Sequence, residues 1–143
     1  MAKSVITNWG MAALAVVMLC GCQILGMGPS DEELVNATMA EWKAALVAHD
    51  LDKLMETYSE NYLNTQGGDK DSVRKFIEQA IEQGYLDNAR VNLQGAQIKI
   101  EGDKANVGPV QVMSDTGTFV IESTTLQKEN GAWLIVGSKR QEQ

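Results

Sequence analysis

The sequence predicts an α+β domain in which three N-terminal helices pack on a strongly curved antiparallel sheet of at least four strands. Three observations carry this expectation. Apolar residues recur at helical spacing as far as Ile81 and then, beyond Asn88, with a period of two. Helices and strands are therefore grouped rather than alternating, as in α+β domains. Finally, the alternation slips inside two of the strand runs, which calls for bulges or sharp bends.

Ser30 followed by Asp31, Glu32 and Glu33 is a capping box, with acidic side chains placed well for the helix dipole. Val35, Met39, Trp42, Leu46 and His49 then form one stripe, so the first helix should end near His49. Asp50 caps a second, shorter helix with Leu51, Leu54, Met55 and Tyr58 on its buried side. Residues 64–68 form a loop or short strand, broken at Gly67-Gly68. A third helix starts at Asp69 or Asp71, turns Val73, Phe76, Ile77, Ala80 and Ile81 inward, and is capped by Gly84.

Residues 90–100, 105–114, 118–128 and 132–139 are the four strand runs. Asn130-Gly131 is the strongest hairpin signal among their turns. Val91 and Leu93 share one parity while Ile98 and Ile100 share the other, with Gly95-Ala96 between them. Ala105 and Val107 likewise give way to Val110 and Val112 across Gly108-Pro109, where proline also removes a ladder donor. In the last run Ala132, Leu134 and Val136 share one face and Trp133 and Ile135 the other, so both faces need cover. Helices cover one; a second copy of the chain, forming a homodimer through the sheet, is the expected cover for the other.

The segment before the domain has the parts of an export signal. Lys3 precedes the uncharged apolar run 11–19, which is too short to span a bilayer. Leu19-Cys20-Gly21-Cys22 then resembles a bacterial lipobox. Gly21 is small enough for cleavage before Cys22, whereas Leu19 before Cys20 is bulky, so Cys22 is the expected lipidation site. The chain divides into a signal peptide (1–21), a lipidated tether (22–29) and a domain (30–143). Gln23 stands where an aspartate would resemble an inner-membrane retention signal, which favours a lipid anchor in the outer membrane, facing the periplasm.

Charge narrows the partners. The formal net charge of −7 becomes more negative when Lys3 leaves, which argues against nucleic acid and against adhesion to anionic headgroups. Both cysteines lie at the lipobox, so the domain has no pair to cross-link, and with one histidine a zinc site is not expected. No cofactor is implied.

The motifs then resemble the nuclear transport factor 2-like (NTF2-like) superfamily, also called SnoaL-like or cystatin-like. Glu41-Trp42-Lys43-Ala44-Ala45-Leu46, His49-Asp50-Leu51-Asp52-Lys53-Leu54 and Tyr58-Ser59-Glu60-Asn61-Tyr62 are similar to its first helix, corner, second helix and first short strand. The stretch 126–135, containing Asn130-Gly131 and Trp133-Leu134-Ile135, is similar to its terminal hairpin. The resemblance implies a cone whose mouth opens on a cavity between helices and sheet. It specifies fold far better than function. In members resembling ketosteroid isomerase, the positions of Trp42 and Gln66 hold a tyrosine and an aspartate base. Neither residue here can take those roles, so no catalytic residue carries over.

Trp42, Tyr58, Tyr62, Met113 and Phe119 are candidates to line such a cavity, or to be ordinary core. Glu122 is a candidate acid or base if it faces the cavity, although its parity is opposite to Phe119 and Ile121. His49, at a helix C-terminus, suits an end residue, and as a base it would need a carboxylate beside it. The expected function is an anchored lipoprotein whose domain binds a small apolar ligand or a protein partner without catalysis. The alternatives are a cofactor-independent enzyme on a small organic molecule and a purely structural dimerising lipoprotein.

Overall fold

The structure, a computed structural model, describes residues 28–141. The signal peptide, Cys22 and most of the 22–29 tether lie outside the described residues, as do 142 and 143. In chain order the elements are α1 (Asp31–Val47), α2 (Leu51–Glu56), α3 (Lys70–Glu82), β1 (Arg90–Asn92), β2 (Gln97–Glu101), β3 (Lys104–Gly108), β4 (Val110–Ser114), β5 (Gly117–Glu129) and β6 (Ala132–Arg140). Three helices therefore pack on one antiparallel sheet of six strands. No helix among the described residues is long and apolar enough to cross a membrane.

The helix ends follow their local chemistry. Ser30 and Glu33 exchange bonds, Glu33 N to Ser30 Oγ at 3.2 Å and Ser30 N to Glu33 Oε2 at 3.0 Å. Asp50 and Asp69 accept from the amides of Lys53 and Ser72 and start α2 and α3. His49 lies just beyond α1 in the left-handed region, at φ 54°, and its Nε2–H donates to the Leu86 carbonyl at 2.8 Å. The histidine thus pins the turn after α3 to the corner between α1 and α2.

Long β5 organises the sheet. Its first half, 117–121, pairs with β4, and 124–127 pairs with β3 on the same edge. β6 runs along its opposite edge after a two-residue turn at Asn130-Gly131, where both φ values are positive, as a primed hairpin turn requires. The first two expected strand runs are thus each two strands, because their halves need different neighbours: β1 joins β4, while β2 joins β3. The slip at Gly95-Ala96 is a turn, closed by Ala96 N to Leu93 O at 3.0 Å. The slip at Gly108-Pro109 is the passage from β3 to β4.

That passage is very close. A Cβ on Gly108 would collide with the backbone carbonyl of Glu122, which sits where the β5–β6 register shifts between Ile121 and Ser123. The two halves of the sheet therefore bend about Gly108 and the Glu122 bulge together. Val91, Ala105, Val107, Val110, Val112, Leu126, Trp133 and Ile135 fill the concave face against Val35, Met39, Trp42 and Leu46 of α1.

The free edge of β6 is covered by residues 57–63. Ser59 N donates to Ile135 O, Ile135 N to Thr57 O and Leu63 N to Val136 O, all between 2.9 and 3.0 Å. At the hairpin end, Asp31 Oδ1 accepts from Lys128 Nζ at 2.9 Å and from Trp133 Nε1 at 3.1 Å, tying the start of α1 to the sheet. Leu134 and Val136 are half-buried and Ala132 is exposed, and Val136 falls in a second register shift rather than continuing a regular face.

Two outcomes test these contacts. Gly108→Ala should lower stability by roughly 1–3 kcal/mol, the range of an overpacked core site, measured by urea unfolding. Asp31 is held below the usual carboxylate range by its bonds from Lys128 and Trp133. Its stabilisation is therefore present above the ordinary carboxylate pKa and is lost as pH falls through the depressed value. Asp31→Asn should accordingly lower Tm at neutral pH, with the deficit shrinking toward pH 3.

Candidate ligand-binding site

Between α3, the end of α1 and the concave sheet lies an open cavity of about 800 Å³. Volumes of this order belong to sites for small organic ligands. Trp42 and Leu46 of α1 and Tyr58 and Tyr62 of the edge segment line it deeply. Val73, Phe76, Ile77 and Ala80 of α3 form one wall, and Phe119, Ile121, Ser138 and Arg140 of the sheet form another. Polar residues of the 64–66 loop and of the β4–β5 turn surround them.

The interior polar groups bond to one another. Trp42 Nε1–H donates to the Tyr58 hydroxyl at 3.0 Å, and the hydroxyls of Tyr62 and Ser138 lie 2.6 Å apart. The two tyrosine rings meet edge to face, centroids 5.1 Å apart. Burial pushes the Tyr58 phenol well above its ordinary range, against the opposing bond from Trp42. Burial also raises Tyr62, partly offset by Ser138 and by the positive charge of Arg140. Both phenols are neutral at physiological pH, and neither can serve as a base.

At the mouth, the Arg140 guanidinium carbon lies 4.5 Å from the Phe76 ring centroid and 5.9 Å from that of Phe119. Phe76, Tyr85 and Phe119 are among the few large apolar side chains exposed on the described surface. Phe76 shares the inner face of α3 with Val73, Ile77 and Ala80, as expected, but stands at the mouth and stays 47% exposed. Only Ala80 of α3 is buried, because the helix faces the opening of the cavity rather than a filled core.

Of the residues singled out from the sequence, Trp42, Tyr58, Tyr62 and Phe119 come together on the cavity wall. Met113 does not: it pairs with Thr118 on β5 and lies outside the lining. Glu122 is also outside it, half-exposed and 2.9 Å from Lys139 Nζ, so the carboxylate is spent on a surface ion pair. Gln66 reaches the lining but is no base, and His49 is outside the lining, its Nε2–H given to the Leu86 carbonyl. Phe76, Ile121, Ser138 and Arg140 were not recognised as lining residues. The register shifts at Glu122 and Val136 exchange the faces of β5 and β6, so Ser138 and Arg140 reach the side occupied by Trp133 and Ile135. Among the described residues, no cluster of three or more His, Cys, Asp or Glu side chains is placed to hold a metal ion.

Neither a protein-family model nor a curated protein matches the sequence. Solved structures match its shape. A protein of unknown function with a cystatin-like fold from Nostoc punctiforme superposes with a TM-score of 0.61 at 16% identity, covering 80% of this chain and 93% of its own. An NTF2-like protein of unknown function from Shewanella oneidensis gives 0.62 at 16% identity, covering 79% and 100% respectively. A de novo designed protein with a curved β-sheet gives 0.56 at 18% identity, covering 76% and 99%. The described domain therefore has the NTF2-like fold, three helices packed on a curved antiparallel sheet.

The Trp42–Tyr58 bond yields a direct test. Trp42→Phe strands a buried hydroxyl and Tyr58→Phe a buried N–H, each costing about 1–3 kcal/mol. The double variant should cost less than the sum of the two, as read from urea unfolding in a double-mutant cycle.

Proposed function

We propose that the chain is a bacterial lipoprotein, anchored at the outer membrane through Cys22, whose NTF2-like domain binds a small apolar ligand without catalysing a reaction on it. The observation that carries the binding half is the open aromatic cavity, which has no aspartate, glutamate, histidine or cysteine among its lining residues. A filled cone would have served a purely structural role equally well, whereas an open one leaves apolar surface to be covered. Proton transfer on a bound molecule needs a base of suitable pKa within reach. The titratable side chains of the lining are the phenols of Tyr58, Tyr62 and Tyr85 and the cations Lys139 and Arg140, and burial raises the first two phenols further.

The anchoring half rests on the leader: Lys3, the apolar run 11–19 and Leu19-Cys20-Gly21-Cys22. Processing that resembles lipoprotein maturation supplies more than one acyl chain, as stable anchoring needs.

Native mass spectrometry of the protein purified from its own membrane tests the binding reading. A retained small molecule is expected, and Ala80→Phe, which fills the cavity from the α3 wall, should release it without loss of the far-ultraviolet spectrum. A protein carrying no molecule, with Ala80→Phe unchanged in mass and stability, would sink the idea. For the anchor, Cys22→Ser should abolish palmitate incorporation, and persistent labelling would place acylation elsewhere.

A further inference from the structure

We propose that the ligand is an amphipathic monoanion: an apolar, ring-sized body inside the cavity and a carboxylate held at the mouth by Arg140. This rests on the ligand-binding reading above. The chain carries 19 acidic and 12 basic residues, yet no acidic residue lines the cavity, and the only charged residues that do are Lys139 and Arg140. A cavity surrounded by an acidic surface but lined with cations alone selects for negative charge on what enters it.

The two cations are not equivalent. Lys139 is paired with Glu122 at 2.9 Å on the outer side of the bulge. Arg140 rests between the rings of Phe76 and Phe119, and among the described residues no carboxylate forms an ion pair with it. A guanidinium held over ring faces keeps its N–H donors in its own plane, and that fork matches a carboxylate. Ser138 lies two residues earlier on the same side of β6, with its hydroxyl already 2.6 Å from Tyr62, so hydroxyl groups flank the same anionic position. The apolar body would then lie over the buried Trp42 and Ala80.

The full chain in lipid nanodiscs can be titrated calorimetrically with naphthalene-2-carboxylate and its neutral counterpart naphthalene-2-carboxamide, with the Ala80→Phe variant as the blank for partitioning into lipid. The carboxylate should bind about tenfold more tightly than the amide. Arg140→Gln should bring the carboxylate-to-amide affinity ratio from about ten to about one, and Arg140→Lys should restore part of that ratio. Equal binding of both probes, insensitive to Arg140→Gln, would overturn the anion assignment and leave apolar binding standing. Heats from both probes that match the Ala80→Phe blank would overturn the binding reading and this inference with it. Circular dichroism of each variant confirms that the loss is not one of fold.

Discussion

The passage from β3 to β4 at Gly108-Pro109 lies directly over the backbone carbonyl of Glu122, and everything on the concave side of the sheet depends on that approach. A side chain at residue 108 would push the two backbones apart and flatten the bend. The bend lets one long strand, β5, serve two different neighbours along one edge, β4 and then β3. It also leaves the space under α3 that the core residues do not fill. Curvature of this kind needs a bulge and a residue without a side chain at one crossing, and both are met here within a single contact.

The bend has an electrostatic consequence as well. The extra residue in β5 is Glu122, and its carboxylate leaves the cavity face to meet Lys139. The compensating shift in β6 at Val136 carries Ser138 and Arg140 inward. Two irregularities of one residue each thus export the nearby negative charge and import a positive one. The shape of the cone and the sign of its lining have the same origin.

Local signals were legible wherever the chemistry is confined to a few neighbouring residues. Ser30 and Glu33, Asp50, Asp69 and Asn130-Gly131 all act within a turn of chain, and each does in the fold what its residue type implies. The slips at Gly95 and Gly108 announced two breaks but not that each would separate strands with different partners, since pairing is decided by distant residues. Trp42 and Tyr58 were found because helical spacing names a face, although α2 ends at Glu56 and Tyr58 lies just beyond it, and Tyr62 was found through the resemblance of residues 58–62 to the family's first short strand. Strand parity names only two faces and reverses at every bulge. Met113 and Glu122 were therefore drawn into the candidate site, and Ser138 and Arg140 were left out of it. An arginine just past the expected end of the last strand, two residues after a serine, was the available signal for the mouth.

The tie between Asp31, Lys128 and Trp133 sets a polarity for the whole domain. It fixes the start of α1 beside the β5–β6 turn, while the opening of the cavity is framed by the first residues of β5 and the last of β6. The 13 residues of β5 run from one to the other. Residues 28–30 therefore lead into α1 at the end of the domain away from the mouth. The entrance to the cavity and the start of α1 thus stand at opposite ends of the longest strand, and the opening is clear of the capping box and its ion pair.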